Sequence, residues 1–224
     1  MRKMLLFCFL LTAPFRLFAQ NRAADSTWLV THYTKKELYI PMRDGIKLFT
    51  TIYEPIAVYG KNGHAERHPI LLNRTPYSVG PYGAAFKAFW TTPYMEYFRK
   101  GYIMVLQDAR GKFMSEGEFM DVRPYIEHKG PKETDESTDT YDAIDWLVNF
   151  VKNNNGKVGV YGISYPGYYA TMAALCGHPA LRAVSPQAPV TEWFIGDDFH
   201  HNGAFMEMDA FNFYSGFGQP RHEL

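Results

Sequence analysis

Short apolar runs without polar alternation recur along this chain, and segments with helical periodicity separate them. Such runs are typical of strands that are buried on both faces of a parallel sheet. The predicted strands are residues 69–73, 103–107, 157–161 and 181–186, and the predicted helices are residues 93–100, 139–151 and 165–175. Because strands and helices alternate, right-handed crossovers place the helices against the sheet. The sequence therefore predicts the α/β class, with a mostly parallel sheet flanked by helices.

A β-hairpin is predicted ahead of these units. Residues 37–42 and 46–53 are strand-like, and Asp44 and Gly45 between them form a turn signal. From residue 193 onward the chain is rich in Gly, Asp, His, Asn and aromatic residues, and it shows no clear strand.

Residues 1–19 have the features of a secretory signal peptide. After a basic start, residues 4–14 form a mostly apolar run that is too short to span a membrane, and Ala19 suits a cleavage site. We expect cleavage after Ala19, a periplasmic or secreted protein, and no membrane span in the mature chain. The alternative is an ordinary buried N-terminal helix, which is disfavoured because residues 20–25 show no helical pattern.

Cysteine use is sparse. Cleavage of the signal peptide would remove Cys8. The mature chain would then keep Cys176 alone and could form no internal disulfide. Because residues 173–175 beside it are apolar, we expect Cys176 to be a packed thiol rather than a nucleophile.

Composition and charge exclude several classes of function. The 224 residues include 23 Lys+Arg and 23 Asp+Glu, so no net charge favours nucleic acid or an anionic membrane as a partner. An aromatic share of 17% excludes a disordered chain and suits bulky core packing or an aromatic-lined pocket. No phosphate-binding loop or dinucleotide fingerprint occurs, and His64 and His68 have no third ligand nearby. We therefore expect neither a cofactor nor a metal.

Ser164 lies where a predicted buried strand ends and a predicted helix begins, which is the setting of a nucleophile elbow. In that setting the serine is exposed on a strained turn, and the Tyr165 N–H can stabilise an oxyanion. Gly162 supplies the close backbone approach of such a turn, and Pro166 is tolerated in a first helical turn. The alternative is a glycine-rich turn with a capping serine.

Residues 162–167 resemble the Gly-x-Ser-Tyr-x-Gly signature of the CocE/NonD hydrolases, above all the α-amino acid ester hydrolases and glutaryl-7-aminocephalosporanic acid acylases. Other segments resemble landmarks of the same family in the same order; they are residues 74–77, 107–111, 115–118, 139–147 and 196–205. Together they cover nearly all of the mature chain. The resemblance implies an α/β-hydrolase fold, here as its N-terminal portion, which ends at the start of a helical cap.

The resemblance also implies roles for particular residues. Tyr77 is expected to give its hydroxyl to the oxyanion hole beside the Tyr165 N–H. Of the paired acids Asp197 and Asp198, the second is expected to bind the α-ammonium of the substrate, since it lies 34 residues after Ser164 (198 − 164 = 34). The alternative is a helix-capping or solvated acid.

Other polar residues receive supporting roles. We expect His200 and His201 to shape the pocket wall, and Asp108 and Arg110 to brace a loop near the active site as an ion pair. The acidic residues 132–139 are expected to form a solvated lead into the following helix.

A serine hydrolase on this fold needs an acid and then a histidine after the nucleophile. Sixty residues follow Ser164 (224 − 164 = 60), and in the family both groups lie much farther on. Asp209 and His222 could formally form a miniature triad, but neither follows a recognisable core strand. We therefore expect the catalytic acid and histidine to be supplied by sequence outside this chain.

The resulting prediction is a serine hydrolase that cleaves esters, amides or short peptides, with amino-acyl substrates favoured. The alternatives are an X-Pro dipeptidyl-peptidase, a general acylase or esterase, and a non-catalytic fragment. Oligomerisation stays open. The predicted segments are a signal peptide at 1–19, a linker at 20–36, a hydrolase part at 37–190 and the start of a cap at 191–224.

Overall fold

The computed structural model describes residues 22–57, 59, 63–89, 94–192, 194–196 and 198–217. The predicted signal peptide, Asp197 and His222 lie outside these residues, so export and the division of the chain into segments stay predictions. In the described part of the chain, no helix combines the length and the apolar character needed to cross a bilayer.

A six-stranded sheet with the order β1-β2-β4-β3-β5-β6 forms the centre of the fold. Its strands are β1 (Tyr33–Pro41), β2 (Lys47–Pro55), β3 (His68–Thr75), β4 (Ile103–Asp108), β5 (Asn154–Ile163) and β6 (Leu181–Gln187). The first two strands are the predicted hairpin, and β2 also pairs antiparallel with β4. The other neighbours pair in parallel, which confirms a mostly parallel sheet.

Helices cover both faces of this sheet, which explains why the strand sequences do not alternate. The helices are α1 (described over residues 22–32), α2 (Met95–Arg99), α3 (Glu136–Phe150), α4 (Tyr165–Ala174) and α5 (Glu207–Phe217). In β4, Ile103 and Val105 belong to a core that includes residues of α3 and α4. Met104 and Leu106 belong to a second core, which includes residues of α1 and α2. Cys176 packs against the first core, as expected of a packed thiol.

The helix at residues 22–32 corrects the expectation of an irregular segment before the hairpin. Its sequence has weak helical periodicity, but tertiary contacts fix it in place. Leu29 is fully buried in the second core, Arg99 of α2 forms an ion pair with Asp25, and its guanidinium lies 5.1 Å from the Trp28 ring centroid. Packing against the rest of the chain thus decides the structure here, as it does for most helices in proteins.

The segment after residue 193 contains more regular structure than its sequence indicated. A short hairpin of β7 (His200–His201) and β8 (Ala204–Phe205) precedes α5. Helix α5 lies near α4, since Phe213 and Phe217 pack against a cluster that contains Tyr165, Tyr168 and Tyr169.

Candidate active site

Ser164 occupies the sharp turn between β5 and α4. Its backbone has φ 60° and ψ −125°, a conformation that a non-glycine residue rarely adopts and that costs about 1–3 kcal/mol. The Ser164 N–H donates to the Gln187 carbonyl at the end of β6, with an N···O distance of 3.0 Å. The end of the neighbouring parallel strand therefore holds the strained turn in place.

Two glycines make this turn possible because no side chain fits beside them. A Cβ atom at Gly162 would lie 1.9 Å from the Pro166 carbonyl oxygen, and one at Gly167 would lie 2.5 Å from the Gln187 carbonyl oxygen. Both distances are far below van der Waals contact, and the neighbouring atoms are backbone. The sequence-based role of Gly162 in close backbone approach is confirmed, and Gly167 has the same role toward β6.

Ser164 lies on a largely aromatic cleft of about 40 Å³. The described residues that line it are Tyr77, Val122, Ser164, Tyr165, Tyr168, Val190, Asp198, Phe199, Phe213 and Tyr214. All four site residues predicted from the sequence are in this set. The cleft thus brings together residues that are far apart in the chain. They come from strand ends, from α5 and from the turn that follows β5.

Tyr77 follows the end of β3 and is 46% exposed. Its ring packs edge to face against Tyr165, with 6.3 Å between the centroids, and its N–H donates to the Thr75 hydroxyl. Burial raises the pKa of the Tyr77 phenol, and the nearby Asp121 and Asp198 carboxylates raise it further. The phenol is therefore held in its protonated, hydrogen-bond-donating form at neutral pH.

The Tyr165 side chain anchors the start of α4. Its hydroxyl donates to Asp121 Oδ1 at 2.8 Å and accepts from the Val122 N–H at 2.8 Å. The other oxygen of Asp121 accepts from the Tyr214 hydroxyl at 2.6 Å, so one carboxylate connects α4, α5 and the loop before α3. Sequence reasoning missed Asp121, because no spacing in the sequence indicates that these two tyrosines converge on it.

A buried ion network lies beneath the cleft and centres on Arg74 of β3, which is fully buried. Its guanidinium donates to Gln107, to Thr140, to the backbone and carboxylate of Glu136, and to Asp139. It also lies 5.4 Å from the Tyr169 ring centroid in α4. Burial raises the pKa of Glu136, and the positive charge of Arg74 opposes that rise.

The acidic lead into α3 corrects the expectation of a solvated segment. Asp135, Glu136 and Asp139 are all buried. Asp135 caps the helix by accepting from the Ser137 and Thr138 N–H groups, with a reciprocal bond from the Asp135 N–H to the Thr138 hydroxyl. Because the two following acids turn toward arginines, residues 135–139 are part of the core, whereas residues 132 and 133 are exposed as expected.

Arg110 and Asp108 both brace the loop after β4, but they do not pair with each other. Arg110 donates to Asp139 and to Asp44 of the β1–β2 turn. Asp108 accepts from the Val79 and Met114 N–H groups and from the Tyr82 hydroxyl, and burial raises its pKa to about 6. The predicted bracing is therefore confirmed and the predicted ion pair is wrong.

The described cleft-lining residues include no histidine that could serve as a general base. His200 and His201 lie in β7, His200 packs between Phe194 and Phe205, and neither is among the described residues that line this cleft. Asp209 lies exposed in α5. The described residues also contain no group of three or more His, Cys, Asp or Glu side chains that could hold a metal ion.

Known proteins resemble this chain closely. Residues 44–221 match the family described as X-Pro dipeptidyl-peptidase (S15 family). Cocaine esterase from Rhodococcus sp. (strain MB1 Bresler) is 35% identical over 151 residues, which cover 66% of this chain and 22% of that esterase. An aminopeptidase from the marine sediment archaeon Thaumarchaeota archaeon is 39% identical with a TM-score of 0.72, over 83% of this chain and 30% of its own. An α-amino acid ester hydrolase is 38% identical with a TM-score of 0.72, over 84% of this chain and 30% of its own.

These similarities confirm the α/β-hydrolase fold and the resemblance to CocE/NonD hydrolases that the motifs indicated. The chain spans less than a third of the length of each of the three relatives.

Proposed function

Because the chain belongs to the S15 family of X-Pro dipeptidyl-peptidases, we propose that the intact protein is a serine hydrolase that cleaves esters or amides through an acyl-enzyme on Ser164. The observation that carries this proposal is the strained serine at the floor of an aromatic cleft. A structural serine needs no such conformation, whereas a nucleophile gains exposure and alignment from it.

In the proposed mechanism, Ser164 Oγ attacks the substrate carbonyl and transfers its proton to a general base. The carbonyl oxygen becomes an oxyanion, which the Tyr77 hydroxyl and the Tyr165 N–H stabilise as donors. Collapse of the tetrahedral intermediate breaks the bond to the leaving group, which takes up a proton. Water then attacks the acyl-enzyme by the same route and regenerates the Ser164 hydroxyl.

Replacement of Tyr77 by phenylalanine should lower kcat by about 10²- to 10³-fold, because one oxyanion donor is lost. The KM for a small ester should change little, since the aromatic ring and its packing against Tyr165 remain. Steady-state kinetics of the intact protein measure both values. The matched control is Tyr97→Phe, which removes a phenol of similar exposure (40%) away from the cleft. An unchanged kcat in Tyr77→Phe would show that the Tyr77 hydroxyl takes no part in the mechanism.

We propose amino-acyl substrates for this site. Asp198 lies on the cleft, and Asp121 adds a second negative charge nearby, since it accepts two tyrosine hydroxyls and raises the pKa of Tyr77. Two carboxylates beside an aromatic wall favour a substrate that carries an α-ammonium group next to a hydrophobic side chain.

This preference is testable with a pair of esters that differ in the ammonium group alone. The intact protein should hydrolyse phenylglycine methyl ester with a higher kcat/KM than phenylacetate methyl ester, and Asp198→Asn should lower that ratio about tenfold. Asp145→Asn, which removes an exposed carboxylate from α3, is the control and should leave the ratio unchanged. Equal rates on the two esters would contradict the ammonium role, and no hydrolysis of either would contradict the proposed function itself.

The family match favours X-Pro dipeptidyl-peptidase activity as a second candidate. The same ammonium site would then hold the N-terminus of a peptide. Release of a dipeptide from a Gly-Pro anilide by the intact protein at a rate above that for phenylglycine methyl ester would favour this candidate.

A further inference from the structure

A second cavity adjoins the cleft and shares Tyr77 with it. It has a volume of about 330 Å³ and is lined by Asn73, Thr75, Tyr77, Ser78, Lys87, Ala88, Phe89, Tyr94, Leu106 and Tyr161. Aromatic rings form much of its wall, and Lys87 is the cation among its described lining residues. Because Tyr77 lines both spaces, a molecule bound at Ser164 could extend past Tyr77 into this cavity.

Lys87 is half-buried, and it forms no ion pair with the acidic residues that the structure describes. The described lysines that form ion pairs are Lys35, Lys36 and Lys129. The Lys87 ammonium donates only to the Ser78 carbonyl at a distance of 3.3 Å, among the contacts described. Burial lowers its pKa, which reflects the cost of holding this charge away from water.

The Asp108 carboxylate does not remove that cost. Asp108 acts on Lys87 electrostatically, but it forms no ion pair with it and already accepts from Val79, Met114 and Tyr82. A half-buried ammonium that makes one hydrogen bond among the described contacts, at the wall of an open cavity, is suited to an anionic ligand.

We propose that this cavity binds the leaving group of the substrate and that Lys87 recognises a carboxylate on it. The inference rests on the proposed function of Ser164. In that function the acyl part occupies the cleft with Asp198, and Tyr77 stands at the scissile carbonyl. The leaving group must depart from the other side of that carbonyl, and the cavity beyond Tyr77 provides the space. The preferred substrate would then be an aminoacyl amide of an amino acid, with an ammonium at one end and a carboxylate at the other.

The test compares phenylglycyl-alanine with phenylglycyl-alaninamide, which differ only in the terminal carboxylate. The intact protein should show a higher kcat/KM for the free acid, and Lys87→Gln should reduce the acid-to-amide ratio by about tenfold or more. Lys87→Arg, which keeps the positive charge, should retain most of the preference. Lys157→Gln, at an exposed position of β5, should leave the ratio unchanged. Both kcat/KM values are measured on the same variant. Partial loss of folded protein therefore lowers both values equally and leaves the acid-to-amide ratio unchanged.

A binding measurement separates this inference from the proposed function. Calorimetry with the Ser164→Ala variant should give a lower dissociation constant for the free acid than for the amide, and the difference should disappear when Lys87→Gln is added. If the wild-type protein hydrolyses neither the peptides nor phenylglycine methyl ester, the proposed function fails while the calorimetric difference still supports the carboxylate site. Equal affinities for acid and amide, or a ratio that is insensitive to Lys87→Gln, would overturn the inference.

Discussion

Replacing Ser164 by alanine should lower the kcat of the intact protein on phenylglycine methyl ester by about 10⁴- to 10⁶-fold. The reason is that no other serine and no threonine, cysteine or lysine lies among the described residues that line the cleft. Residual catalysis would come from binding and from the Tyr77 and Tyr165 donors alone. Since the turn is held by backbone contacts of Gly162, Gly167 and Gln187, alanine at this position should keep the fold.

The control for this prediction is Ser185→Ala, which removes an exposed hydroxyl from β6, the strand beside the elbow. It should leave kcat unchanged. A fluorophosphonate should add its mass to the wild-type protein and to Ser185→Ala but not to Ser164→Ala. Retention of more than a tenth of the activity in Ser164→Ala would show that hydrolysis does not pass through this serine.

The elbow could be predicted from the sequence because its signal is local. A buried strand, a glycine, a serine and a helix follow one another within about twenty residues, and each has a steric reason to be there. The same holds for the β1–β2 hairpin, where Asp44 and Gly45 mark the turn. Such features depend on neighbours in the chain, so their residues carry the information directly.

The surroundings of the elbow could not be predicted, because they depend on register and on contacts between distant segments. The sequence predicts that Glu136 and Asp139 are solvated, yet Arg74 lies more than sixty residues earlier and meets them only after β3 and α3 pack. Asp121 likewise receives the hydroxyls of Tyr165 and Tyr214, which lie 44 and 93 residues away. Paired polar residues in a core carry no periodic pattern of their own.

Arg74 connects the buried ion network to the active site. It orders the buried acids, and it also begins the segment that carries Tyr77. Replacement of Arg74 by methionine should lower the stability of this region by about 3–5 kcal/mol. The substitution leaves Glu136 buried, with Arg123 at 4.0 Å as its remaining described cationic neighbour, and it removes the contact with the Tyr169 ring. Amide hydrogen exchange in β3 and α3 of the intact protein measures the loss.

Arg43→Met provides the matched control for this substitution. Arg43 also pairs with an aspartate of α3, Asp142, but both side chains reach solvent, with 27% and 14% exposed. Its loss should therefore cost about 1 kcal/mol or less. A similar cost for Arg43→Met and Arg74→Met would contradict the importance of burial in the Arg74 network.

The pH dependence of the Arg74→Met variant follows from the same buried acid. Burial already raises the pKa of Glu136, and without Arg74 its pKa in the folded state should rise further above the unfolded value of about 4.3. The folded variant then binds a proton that the unfolded chain releases, so its stability deficit should be largest above the folded pKa. The deficit should shrink as the pH falls through the folded pKa of Glu136 toward the unfolded value. Adding Glu136→Gln should recover part of the lost stability at the higher pH, because a neutral amide replaces the unpaired carboxylate. A deficit that is independent of pH and of Glu136→Gln would instead place the cost in lost packing around Tyr169.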